Sequence, residues 1–145
     1  MEKRFYQILA GILLSAISCK CQPRLGDSIM EYKVIKKEMP MSILVNPSQF
    51  EKAYEVIVDS ITYIVTLSDK NLINRISTAD NKFKTPDGFK VNDAYSEIAK
   101  KIPDQKVTDY RGWGKFIRLP SGWNAVFDYK EQINSNSKIQ FFFKK

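Results

Sequence analysis

Histidine occurs nowhere among the 145 residues of this chain. Its absence excludes Ser-His-Asp triads, removes the commonest general base and removes the side chain on which most zinc sites depend. Cysteine is nearly absent too, because only Cys19 and Cys21 occur and one residue separates them. Such close spacing suits the demanding geometry of a disulfide poorly. We therefore predict no disulfide framework, no cofactor and no metal site, and we expect that the protein is not an enzyme.

Long apolar runs are missing as well, apart from one short segment near the amino terminus. Residues 1–4 are basic in balance, residues 8–14 are apolar, and small or apolar residues at 16–18 stand directly before Cys19. This order is typical of a secretory signal peptide. Its apolar part is too short to cross a hydrocarbon core of about 30 Å as a permanent helix.

The cysteine placed directly after the small residues makes the segment resemble a bacterial lipoprotein signal. The resemblance implies that residues 1–18 are removed and that Cys19 is lipidated with palmitate-like acyl chains. An ordinary cleaved secretory signal is the alternative. Lys20, in place of an aspartate, implies sorting to the outer membrane, and without an acidic cluster after the cysteine we expect the protein to face the periplasm.

The mature chain is predicted to be a short tether followed by one domain. Residues 20–27 are polar and include Pro23 and Gly26, which is typical of a tether, and residues 28–145 have the size of a single domain. The net charge of the full 145-residue sequence is +7, and a basic protein can bind nucleic acid, anionic lipid or acidic glycan. For an exported protein with scattered basic residues we expect no nucleic acid, and a solvated surface that faces anionic membrane and wall polymers.

Alternating and β-branched segments predict six to eight strands, most clearly at 54–58, 61–67 and 72–78. The links between strands are too short for crossovers, so we expect a chiefly antiparallel sheet. Residues 141–143 are three phenylalanines and place aromatic side chains on both faces of the last strand. This pattern favours a central strand that is covered on both sides.

Two helices are predicted. The principal one covers about 92–102, with Asn92 or Asp93 as its cap and Pro103 as its stop. A short one covers about 47–53, because Asn46 can cap a helix that has Pro47 at its first position. A helix packed on the apolar face of a sheet makes an α+β domain.

The most suggestive local feature is Trp113 between two glycines, with Arg111 and Lys115 on either side. Glycines let the backbone approach another molecule closely, and an indole face stacks on sugars, peptides or cations. These side chains predict a cationic aromatic patch that suits peptidoglycan or an acidic protein partner. The alternative is a core role, since tryptophan is large and apolar, and for Trp123 the core is the favoured interpretation.

Two other chemistries are weaker. The loop at 80–88 is rich in oxygen ligands, but its spacing does not match an EF-hand, so a turn is favoured over a calcium site. Asp59 and Asp128 are candidates for a glycosidase pair, but their spacing in sequence fixes no distance between them, and we expect no catalytic role.

The stretch 83–91 reads FKTPDGFKV and precedes the capped helix. With the signal, it is similar to small lipoproteins of the Bacteroidota type, in which an F-x-T-x-x-G loop precedes a short helix and a strand-rich second half. That resemblance implies an envelope location and no known activity. We expect a non-catalytic envelope lipoprotein that binds a protein or wall partner through loops such as 78–89 and 110–115. An inhibitor or immunity-type protein against a toxin or wall hydrolase is the alternative.

Overall fold

A computed structural model of the protein describes residues 22–46, 48–110 and 113–145, and for 35–44 and 46 the backbone alone. Within these described residues, one α-helix, α1 (Tyr95–Lys101), and a 3-10 turn (Ile29–Glu31) accompany eight strands. The strands are β1 (Lys33–Asn46), β2 (Gln49–Val58), β3 (Ile61–Leu67), β4 (Ile73–Thr78), β5 (Val107–Tyr110), β6 (Gly114–Arg118), β7 (Asn124–Phe127) and β8 (Phe141–Lys144).

All eight strands form one sheet in the order β1-β2-β3-β4-β8-β7-β6-β5, and every neighbouring pair is antiparallel. This confirms the predicted antiparallel sheet. Asp59 and Ser60 join β2 to β3 with φ of 49° and 65°, the positive values that a tight two-residue hairpin requires. β8 lies between β4 and β7, which confirms the central position predicted for the three phenylalanines.

The predicted helix at 47–53 is wrong. Residues 49–58 form β2, in which Ala53 pairs with Met41 on one side and with Thr66 on the other. Pairing on both sides satisfies backbone N–H and C=O groups that an isolated helix of one or two turns would leave partly unpaired. Pro47, on which that prediction rested, lies outside the described residues.

The principal helix is shorter than predicted. Asn92 has a φ of 71°, and the carboxylate of Asp93 accepts the backbone N–H of Lys90, so both residues belong to the turn before α1. Ala94 is the N-cap and makes no side-chain cap hydrogen bond. With seven helical residues beside eight strands, the fold is sheet-rich and its helical share is smaller than an α+β balance implies.

The sheet has two unlike faces. We call the face that carries α1 the helix face; its buried side chains form one large apolar cluster. The opposite face, which we call the arginine face, carries buried polar and aromatic side chains. Strand alternation and the pairing register assign Val65, Ile76, Phe142, Ala125 and Ile117 to the helix face and Thr66, Arg75, Phe143, Asn124 and Phe116 to the arginine face.

The loop with the F-x-T-x-x-G pattern covers the helix face. Phe83 and Phe89 are buried in the apolar cluster, and the Thr85 hydroxyl accepts the backbone N–H of Phe89 at 3.0 Å. Gly88 has a φ of 93° in the turn between them. The Asp87 carboxylate accepts the backbone N–H and the hydroxyl of Ser121, which fixes the loop to the β6–β7 turn. These residues therefore serve the fold.

The first described segment lies against β4. The Gly26 N–H donates to the Ile73 carbonyl at 2.7 Å, and the Ile73 N–H donates to the Asp27 carbonyl at 2.8 Å. Ser28 and Glu31 form a capping box around the 3-10 turn, and the first strand begins at Lys33. The later part of the predicted tether is thus held against the sheet.

Candidate functional site

The two tryptophans have different environments. Trp123 is 1% exposed, and its ring centroid lies 4.8 Å from that of Phe83 in the apolar cluster, which confirms its core role. Trp113 is only partly buried and lies in the turn before β6, on the arginine face. Gly114, the residue after Trp113, is the first residue of β6 and is buried beside Val126.

Trp113 belongs to a cluster of four aromatic rings. Its ring centroid lies 5.4 Å from Phe143 and 5.8 Å from Phe116, both with edge-to-face geometry. Tyr110 lies 5.4 Å from Phe116 and is itself exposed at the sheet edge. Edge-to-face contacts of this kind stabilise each pair by about 0.5–1.5 kcal/mol beyond area burial. The result is an aromatic surface that begins in the sheet and ends at solvent.

A buried arginine lies beneath this surface. Arg75 is in the middle of β4, opposite Thr66, and is only 4% exposed. Its guanidinium carbon is 4.2 Å from the Phe143 ring centroid and 5.5 Å from that of Trp113. Both distances are within the range of cation–π attraction. We call Arg75, Tyr110, Trp113, Phe116 and Phe143 the arginine site.

The Arg75 guanidinium is short of hydrogen bonds. Its Nε and Nη1 atoms are buried, and no partner is found for either among the residues that the structure describes. Burial lowers the pKa of Arg75 to about 10, while the negative charge of Glu51 acts in the opposite direction. A buried donor left unpaired costs about 1–3 kcal/mol, and more when the group is charged. The site therefore holds a cation whose planar donors suit a carboxylate or phosphate.

The other predicted site residues do not all join Trp113. Lys115 pairs with Phe127 on the helix face, and its ammonium group donates to the carbonyl of Glu131. It therefore lies across the sheet from the arginine site. Arg111 and the lipidation candidate Cys19 lie outside the described residues.

The carboxylates considered for calcium binding or catalysis have structural partners. Asp80 accepts the backbone N–H groups of Thr62 and Lys82, and these two hydrogen bonds lower its pKa. The 80–88 segment is thus a turn, and the described part of the chain contains no cluster of three potential acidic or cysteine metal ligands. Asp59 lies in the β2–β3 turn and Asp128 after β7, with β4 and β8 between these strands.

Arg75 is the residue that sequence reasoning missed. The only local signal was a charged residue inside the strand predicted at 72–78, flanked by Ile73 and Ile76. A charge inside a strand usually points to solvent. Its burial depends on aromatic residues from β6, β8 and the β5–β6 turn, which are distant in sequence.

Comparisons with known proteins returned no relative: no family model, no curated protein and no solved structure matched the chain. Among the described residues, no helix has the length and apolar character needed to cross a membrane. The arginine site and the amino-terminal sequence are therefore the features of this chain that bear on its function.

Proposed function

We propose that the protein is a non-catalytic lipoprotein of the cell envelope that binds a protein or cell-wall partner through the arginine site. In this proposal Cys19 carries the lipid anchor, the protein belongs to the outer membrane, and the domain faces the periplasm. The single observation that carries the binding role is the buried guanidinium of Arg75, whose Nε and Nη1 have no partner among the described residues, under the partly exposed Trp113. By resemblance, we assign the protein to the small α+β lipoproteins of the Bacteroidota type.

The chemistry of the site selects an acidic partner. A guanidinium forms two parallel hydrogen bonds with a carboxylate, and this pairing would supply the acceptors that Nε and Nη1 lack. Trp113 lies over the guanidinium, so a partner reaches Arg75 by displacing the indole. Tyr110, exposed beside it, offers a second ring for stacking. Aspartate or glutamate of a protein and the peptide carboxylates of wall polymer both have the required group.

The test is an affinity pull-down from envelope extract with the full lipoprotein in detergent and its Arg75→Met variant. Methionine fills a similar volume without donors, so we expect loss of the captured partner, or of retention on purified wall material, with the fold intact. Arg118→Met is the matched control, because Arg118 lies exposed on the same face of β6. Equal capture by Arg75→Met and the parent would show that the arginine site is not the binding surface.

The identity of the partner decides between two roles. A captured toxin or wall hydrolase whose activity falls on binding would make the protein an inhibitor, whereas a structural envelope component would make it an adaptor. The anchor is tested separately by labelling cells with palmitate. We expect label in the parent and none in Cys19→Ser, and a labelled Cys19→Ser protein would contradict lipidation at this residue.

A further inference from the structure

The end of the domain nearest Cys19 exposes large apolar side chains. Met30 is 85% exposed, and Leu25 and Leu72 are also exposed. Beside Met30 lies a groove of about 230 Å³ lined by Ile29, Met30, Tyr32, Val34 and Tyr54. We call residues 22–33 and 68–72 together the membrane end.

This apolar surface is part of the folded sheet. The backbone of 26–29 pairs with that of 71–73: Ser28 bridges to Leu72, and the Ile29 N–H donates to the Asn71 carbonyl at 3.5 Å. The Asp27 carboxylate accepts the Tyr32 hydroxyl, which fixes the 3-10 turn that carries Met30. The exposed side chains are therefore presented at fixed positions, at the start of β4.

The distance along the chain from Cys19 is short. Gln22, the first described residue, follows Cys19 by three residues, so fully extended backbone separates them by at most about 11 Å. If the acyl chains on Cys19 enter a bilayer, as the proposed function requires, the membrane end is held beside the lipid headgroups.

From these observations we infer that the membrane end rests on the bilayer, with Met30 and Leu72 in contact with lipid. The charges of this end are balanced: Arg24, Lys33 and Lys70 oppose Asp27, Glu31 and Asp69. The contact is therefore apolar and does not depend on anionic lipid, since a neutral surface gains little from the surface potential. The lipid surface is the occupant, and the domain has a fixed orientation on it.

The test uses the lipidated full chain reconstituted in phosphatidylcholine vesicles. A single cysteine at position 30 or 72 (Met30→Cys or Leu72→Cys, each with Cys21→Ser) carries an environment-sensitive fluorophore. Asn81→Cys is the matched control, because Asn81 is exposed just beyond the opposite end of β4. We expect a blue-shifted emission and quenching by nitroxide-labelled lipid at positions 30 and 72, neither effect at 81, and no change in 1 M salt.

The outcomes separate the two proposals. A chain that fails to float with vesicles has no anchor, which overturns both the lipidation and this inference. A chain that floats but shows the same emission and quenching at 30, 72 and 81 keeps its anchor and overturns the resting contact alone. Quenching at 30 and 72 that appears only with anionic lipid, or is lost in salt, would overturn the apolar contact.

Discussion

The two faces of the sheet both pack aromatic rings, but among the side chains that the structure describes only the arginine face buries a cation. On the helix face, Phe83 lies between Trp123, Phe142 and Tyr63, with ring centroids 4.8, 5.6 and 5.9 Å away, and the buried cluster contains no charged residue. On the arginine face, the rings surround Arg75.

This difference is the physical basis for proposing a binding role for the arginine face. The helix face leaves one neutral donor, Trp123 Nε1, buried without a partner among the described residues, whereas the arginine face leaves two donors of a cation. Apolar burial stabilises the fold, while a buried charge without full hydrogen bonding opposes it. Strongly perturbed titratable groups are concentrated at functional sites. The arginine face is therefore the better candidate for a binding surface.

The largest effect is expected from truncating the helix-face tryptophan. Trp123→Ala should lower the free energy of unfolding by about 3–5 kcal/mol, because it leaves a cavity in a closely packed core. Trp113→Ala should lower it by less, since Trp113 is partly exposed. Urea unfolding followed by circular dichroism measures both variants. Equal losses would mean that the two faces contribute alike to folding.

An effect of intermediate size on the free energy of unfolding is expected at Arg75, where loss of a charged side chain should not destabilise the fold. Arg75→Met should leave the free energy of unfolding at pH 8 within about 1 kcal/mol of the parent or raise it, because apolar residues often replace poorly paired buried charges without loss. Arg75→Ala should lower it, since it also removes the stem under Trp113. The same urea titration decides, and a loss of several kcal/mol in Arg75→Met would make Arg75 a structural residue.

The Arg75 prediction has a pH dependence. Burial lowers the pKa of Arg75 to about 10, so above pH 10 the folded state releases this proton before the unfolded state does. The charged group opposes folding below pH 10, and this penalty falls as the pH rises further. Any stability advantage of Arg75→Met over the parent should therefore narrow between pH 9 and pH 11.

The smallest effect on stability is expected at Asp80, at the start of the loop that covers the helix face. Hydrogen bonds from Thr62 and Lys82 lower the pKa of Asp80, so its contribution to stability is complete above the ordinary value of 3.8 and is lost as the pH falls through the lowered value. Asp80→Asn should be less stable than the parent at pH 6, and the gap in the free energy of unfolding should narrow as the pH falls below 3.8. Asp104→Asn, at an exposed aspartate, is the control, and a gap that stays constant with pH would contradict the assignment.

Local features of the fold were predictable from the sequence. The β2–β3 hairpin follows from two β-branched runs joined by Asp59-Ser60, and the stop of the principal helix follows from Pro103, because in each case the deciding residues are neighbours in the chain. The error at 47–53 shows the limit. A capping signal acts locally, whereas residues 49–53 are held as a strand by pairing with β1, and Ala53 pairs also with Thr66 of β3.

The candidate site was predictable only in part. Trp113 was identified from its flanking glycines, but its cationic neighbour is Arg75 from β4, and Lys115 lies across the sheet. Strand alternation places Lys115 and Phe116 on opposite faces once the register is known. The sequence alone does not give that register, so it could not show which basic residue accompanies the indole.

The position of β8 has a consequence for the order in which the strands would pair during the proposed export. Among the described strands, β8 alone joins β1–β4 to β5–β7, and it begins at residue 141. A chain that emerges amino end first from a translocation channel can pair the first four strands early, yet it cannot join the two halves until Phe141–Lys144 has come through. If the amino-terminal segment is the export signal that we propose, the sheet is completed only after its last strand has crossed the membrane.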